Sequence, residues 1–110
     1  MLEQRIHEQT KEFIGQIHET DVYKTYEAQL ERIKRYPDLY DQVNEYRRKN
    51  FEIQSVSQAD ELYDKMENFE REYRDFRENT IVSDFLDAEL AFCRMMQEIS
   101  SLIVDELNFE

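Results

Sequence analysis

A single glycine, Gly15, and a single proline, Pro37, are spread over 110 residues. Hairpins depend on glycine, Asn-Gly or Asp-Gly for the positive φ angles of their turns. The chain therefore has almost no turn chemistry with which to build a sheet. It does have apolar material: 40% of its residues are hydrophobic and 13% aromatic, with seven Tyr and seven Phe. An acidic chain too polar to fold would be poor in aromatics. The composition predicts an all-α fold, a helical bundle of about five helices in one domain spanning residues 1–110. A compact chain of this mass exposes about 6,500 Å² of the roughly 19,600 Å² accessible when unfolded, which leaves room for one modest core.

The same composition removes several function classes. Twenty-six acidic against fourteen basic residues give a net charge of −12, which repels phosphate backbones and argues against direct nucleic-acid binding. Cys93 is the only cysteine, so no disulfide framework and no self-contained Cys-ligated zinc site is expected. The longest uncharged stretches, such as residues 99–104, fall far short of the ~20 apolar residues of a membrane span. The first residues, Met1-Leu2-Glu3-Gln4-Arg5, lack the basic-then-apolar pattern of a signal peptide. The expectation is a cytoplasmic protein with no membrane insertion.

Helical periodicity divides the chain. Leu2, Ile6, Phe13, Ile14 and Ile17 share one side of a first helix over about residues 2–17. Thr20 or Asp21 can cap a second, carrying Val22, Tyr23, Tyr26, Leu30 and Ile33, which stops before Pro37 because the residue preceding proline avoids the α region. Pro37 suits the first turn of a third helix, with Asp38 at its positive end and Leu39, Val43, Tyr46 and Phe51 as its apolar side. Ser57 and Asp60 open a fourth, in which Leu62, Met66, Phe69, Tyr73 and Phe76 recur every four, three, four and three residues, a narrow coiled-coil-like seam. Glu61–Lys65, Glu67–Arg71 and Glu70–Arg74 support its exposed back. Asn79-Thr80 breaks the pattern and caps the last helix, about residues 81–107.

That last helix constrains function most. Phe85, Leu86, Leu90, Met96, Ile99 and Ile103, with further apolar neighbours, cover more than half its circumference, and only Asp87, Arg94, Glu98, Ser101 and Asp105 form a polar strip. A helix apolar nearly all round must be buried on most sides. At 1.5 Å per residue it is about 40 Å long, against the roughly 35 Å span of a compact 110-residue domain. Shorter, polar-backed helices cannot cover it. The expectation is a homo-oligomer whose interface includes those six residues.

Chemistry-bearing patterns are scarce. His7 and His18 share a side of the first helix, but no His-Glu-x-x-His or Glu-x-x-His pair occurs, so a di-iron bundle lacks its histidines. Ser100 and Ser101 have no nucleophile-elbow glycines, and no glycine-rich phosphate loop exists. Cys93 falls inside the apolar arc, where it reads as a small buried hydrophobe. No enzyme, metal site or cofactor is expected. Two basic runs stand out: Arg32, Lys34, Arg35 and Arg47, Arg48, Lys49. Both read as helix C-terminal cations meeting the negative dipole end, or as a docking patch for an acidic partner in the case of Arg47, Arg48 and Lys49. Glu89 falls inside the apolar arc, where a lone carboxylate is costly. It needs an Arg, Lys or Tyr from a neighbouring helix or subunit, or a contact with a ligand or partner.

The run Asn79-Thr80-Ile81-Val82-Ser83-Asp84-Phe85-Leu86-Asp87-Ala88-Glu89-Leu90, continued by Arg94-Met95-Met96-Gln97-Glu98-Ile99, resembles the YlbF/YmcA family of small bacterial regulators. Tyr23-Lys24-Thr25-Tyr26, Leu30 and Tyr36-Pro37-Asp38-Leu39 are similar to its middle region. The resemblance implies an all-α, non-enzymatic regulator or adaptor that works through protein–protein contacts in antiparallel-packed homo- or hetero-oligomers. It further implies roles in competence, sporulation and biofilm formation, with sister-family subunits and ribonuclease Y-dependent messenger RNA processing as partners. Iron–sulfur clusters are associated with that family's complex, which makes a metal- or cluster-binding subunit the alternative function. A cluster needs typically four thiolates, and this chain offers one.

Overall fold

A computed structural model describes residues 1–56 and 58–108. Among them 89% of the chain is helical and no strand occurs, so the fold is all-α. The helices are α1 (Gln4–His18), α2 (Asp21–Lys34), α3 (Pro37–Val56), α4 (Ala59–Glu72), α5 (Arg74–Glu78) and α6 (Thr80–Glu106). The boundaries follow local chemistry. Thr20 Oγ1 accepts from the Tyr23 amide at 3.1 Å and closes the start of α2. Pro37 opens α3 with Asp38 in its first turn. Asn79 Oδ1 accepts from the Ile81 amide at 2.9 Å and the Val82 amide at 3.3 Å to begin α6, and Asn108, at φ 54°, follows its end in the left-handed conformation of a helix C-terminus. The expected cap at Ser57 lies outside the described residues.

Six helices replace the expected five because the fourth breaks at Tyr73 (φ −101°, ψ 12°). The seam on this segment has two targets. Phe69 stacks on Tyr46 of α3 with ring centroids 5.0 Å apart, whereas Phe76 packs against the central core. At the bend the Tyr73 ring meets Tyr46, Phe69 and Phe76, and Phe76 also lies 5.9 Å from Tyr46.

The core is small. Ile33, Val43, Val82 and Phe85 are fully buried, with Tyr26, Leu30, Leu39, Tyr40, Phe76, Ile81 and Leu86 packed around them. Its main axis is the antiparallel pair α2 and α6: Tyr26 stacks on Phe92 at 4.9 Å, and Arg32 Nη1 donates to Asp84 Oδ2 at 2.8 Å at the other end. Fourteen residues of α2 face twenty-seven of α6. At 1.5 Å per residue, α2 runs out after about half of the longer rod. The first half of α3 enters the core through Val43, its middle packs on α4 through Tyr46 and Phe69, and α1 has only Ile17 buried. The radius of gyration is 17.8 Å, with extents of 49 × 38 × 23 Å, against about 13 Å for a compact chain of this length. The accessible surface is 8821 Å², about 2,300 Å² more than a compact chain of this mass exposes.

Candidate functional site

The residues expected at an interface divide into two groups. Phe85 belongs to the chain's own core at 0% exposure, which corrects its placement at an interface: its side of α6 is the one that meets α2. Leu86 is half-buried at the core's edge and Ile99 is half-buried further along. Leu90, Met96 and Ile103 are exposed, as are Leu102, Val104 and Leu107 beyond them, with Ile103 51% and Leu107 71% accessible. On α1, Leu2, Ile6, Phe13 and Ile14 are likewise uncovered. Two other expectations are overturned. Cys93 is exposed rather than buried, because it sits on the side of α6 that α2 does not reach. Phe51 is 70% exposed, because α3 has diverged from the core by that point.

Between the second half of α3 and the middle of α6 lies an open cleft of about 330 Å³. Leu86, Leu90 and Cys93 form one wall, Asn50, Phe51 and Gln54 the other, and Arg77 stands at its α5 end. Its floor carries an ion pair: Arg47 Nη2 lies 3.1 Å from Glu89 Oε2, with the Glu89 side chain 21% exposed. The Arg47 guanidinium also lies over the Phe85 ring, 5.4 Å from its centroid, and its Nε is buried without an acceptor. The anomalous carboxylate and the first cation of the basic run are thus one interaction, tying α3 to α6 where their backbones separate. Burial first, and the Glu89 charge after it, raise the Tyr26 phenol above its usual range.

The rest of the basic run points elsewhere. Arg48 Nη1 pairs with Glu52 at 2.9 Å, and Lys49 Nζ with Glu45 at 3.4 Å and Glu72 at 3.6 Å. The Tyr73 hydroxyl first, then against some desolvation Glu72 and Glu45, push Lys49 above the usual lysine range. The run lies in mid-helix, since α3 continues to Val56 and has no basic residue in its last turn, so the dipole explanation fails for it. It holds for Arg32 and Lys34 in the last turn of α2. Each of Arg47, Arg48 and Lys49 already has a carboxylate partner within the chain.

Among the described residues no three His, Cys, Asp or Glu side chains converge as a metal ion requires. His7 and His18 are both exposed, with His18 lying against Tyr23 at 4.6 Å between ring centroids. A single exposed thiol does not fit an iron–sulfur cluster. No helix is long and apolar enough to cross a membrane. What the geometry presents is uncovered apolar surface on α1 and the second half of α6, beside a cleft with a charged floor. Compared with known families, residues 6–108 match the model described as control of competence regulator ComK, YlbF/YmcA. No curated protein and no solved structure matches the chain.

Proposed function

The chain belongs to the YlbF/YmcA family, and on that premise we propose that it is a non-enzymatic regulator acting by self-association and by contact with other proteins in the cytoplasm. The observation that carries this reading is the uncovered apolar surface on α1 and the second half of α6. Soluble monomers rarely expose contiguous apolar patches of more than a few hundred Å². Obligate homodimers bury about 2,000–5,000 Å² in total, a range that includes twice the roughly 2,300 Å² by which this chain exceeds a compact one. Family membership supports a role in controlling competence. It also supports, as a finer proposal, sister-family subunits and a ribonuclease Y-linked complex as partners. Light scattering on a size-exclusion column at micromolar protein is expected to give at least a dimer, and a monomer would overturn the self-association. Capture of the tagged protein from its host is expected to recover sister-family subunits or a ribonuclease. Recovery of the chain alone would remove the adaptor role. The metal- or cluster-binding alternative has no observation in its favour, and visible absorbance of protein purified without oxygen, lost in Cys93→Ser, would be needed to revive it.

A further inference from the structure

Resting on the contact with other proteins just proposed, we propose where one such contact lies and what it takes. The α3–α6 cleft receives a short amphipathic helix of a different protein, apolar on its inserted face and carrying a carboxylate at the Arg77 end. The walls are regular: Leu86, Leu90 and Cys93 stand at i, i+4 and i+7 on α6, and Asn50, Phe51 and Gln54 share a side of α3. The α6 wall is about 10 Å long, the length of two turns of a guest helix whose apolar residues repeat at the spacing of a helix-in-groove contact. No strand occurs among the described residues, so they offer no sheet edge to an extended guest. An open cleft of about 330 Å³ lies at the lower limit for a small-molecule pocket, which encloses most of its ligand. Side chains of a helix lying across the cleft need no such enclosure.

Charge specifies the guest further. The apolar lining is uncovered, with Phe51 70% and Leu90 49% accessible. The polar lining is largely satisfied from within: Gln54 Nε2 donates to Asn50 Oδ1 at 3.1 Å, and Glu89 holds Arg47. Arg77 is the exception. It makes no ion pair among the described residues, and its guanidinium stands over the Tyr46 ring, 5.9 Å from the centroid, at the end of the cleft. The charged lining is therefore Arg47, Arg77 and Glu89, a local positive excess in a chain of net charge −12. Its complement is an apolar face with one anionic group, because a carboxylate meets an arginine through two parallel hydrogen bonds. The surface proposed for self-association lies on α1 and the second half of α6, and does not include Asn50, Phe51, Gln54 or Arg77. A second copy is thus not needed to fill the cleft.

Selection on the full chain from a phage-displayed library of helical peptides tests this, with acidic, basic, amide and apolar residues equally frequent at the randomised positions. The retained peptides are expected to carry Asp or Glu one turn beyond an apolar i, i+4, i+7 row. Once synthesised, they are expected to bind Arg77→Glu on the order of fivefold more weakly and Phe51→Ser about tenfold more weakly. Lys11→Glu, which changes the net charge as much as Arg77→Glu does, should leave their affinity unchanged. Circular dichroism checks that all three variants stay helical. Retained peptides that are basic or uncharged, or that bind Arg77→Glu and Phe51→Ser as tightly as the parent, would overturn the cleft contact while leaving contact with other proteins standing. A library that yields no binder overturns it too, and the capture experiment then decides the wider reading on its own. A fall in oligomer mass by light scattering in Arg77→Glu or Phe51→Ser would make a second copy the occupant and likewise overturn the proposal.

Discussion

Both halves of α6 carry apolar residues, yet the first forms the core while most of those in the second lie uncovered. Val82 and Phe85 are fully buried, while Ile103, on the same side of the helix five turns later, is half accessible. The difference is not in α6 but in what runs beside it: α2 is fourteen residues long and ends. Apolar patterning therefore specifies a demand for burial, and chain topology decides whether the demand is met from within. In this molecule it is met over one half of the rod.

The sharpest way to break that comparison is a matched pair of truncations. Phe85→Ala removes a ring from a fully enclosed site and is expected to cost about 3–5 kcal/mol, a fall in melting temperature of more than about 10 °C for a chain of this size. Ile103→Ala, measured at protein concentrations low enough to be monomeric, is expected to cost under about 0.5 kcal/mol. Equal losses in thermal denaturation would mean that the second half is as well packed as the first. A smaller effect concerns concentration. Raising the protein from sub-micromolar to near-millimolar is expected to lift the melting temperature by several degrees, as mass action stabilises any state whose partner binds only the folded form. Ile103→Asp is expected to abolish that dependence. An unchanged slope would place the contact elsewhere.

Smaller again is the clasp between α3 and α6. A double-mutant cycle of Arg47→Met and Glu89→Gln is expected to give a coupling of about 1 kcal/mol, since the pair is sheltered on the glutamate side and open to solvent screening on the arginine side. A value near zero by urea denaturation would make the pair incidental. The least effect is expected at high pH. The Tyr26 phenol is raised by burial first and Glu89 second. Its contribution is therefore complete below the unfolded tyrosine value near 10 and is lost as pH rises through the higher folded value. Tyr26→Phe should flatten the stability loss above about pH 10. An identical slope in the variant would show that the phenol plays no part.

Element existence and most boundaries were legible because they depend on short-range chemistry: Thr20, Pro37 and Asn79 each act within four residues of themselves. Glu89 was legible as an anomaly for the same reason, being a charge at an apolar wheel position. Its partner was not, because Arg47 is forty-two positions away and only the fold brings it to 3.1 Å. A wheel also cannot distinguish two apolar faces, which is why Phe85 reads as an interface residue although it is the centre of the core. Cys93 and Phe51 failed for the complementary reason: apolar context predicts burial, but neighbouring helices diverge at both. The bend at Tyr73 carries no proline or glycine signal and lies among aromatic contacts with Tyr46 that local pattern does not reveal.

One consequence follows from the anchoring of α1. Only Ile17, at its end, is buried, so the fifteen-residue helix stands almost alone, and isolated helices of that length are marginal in water. Its amides should exchange with solvent through local fraying rather than through global unfolding. A partner that docks on Ile6 and Phe13 must first hold that helix in its wound state, and the entropy lost in doing so lowers the affinity. Such a contact is readily reversed, which suits a segment that changes partners rather than one that keeps them.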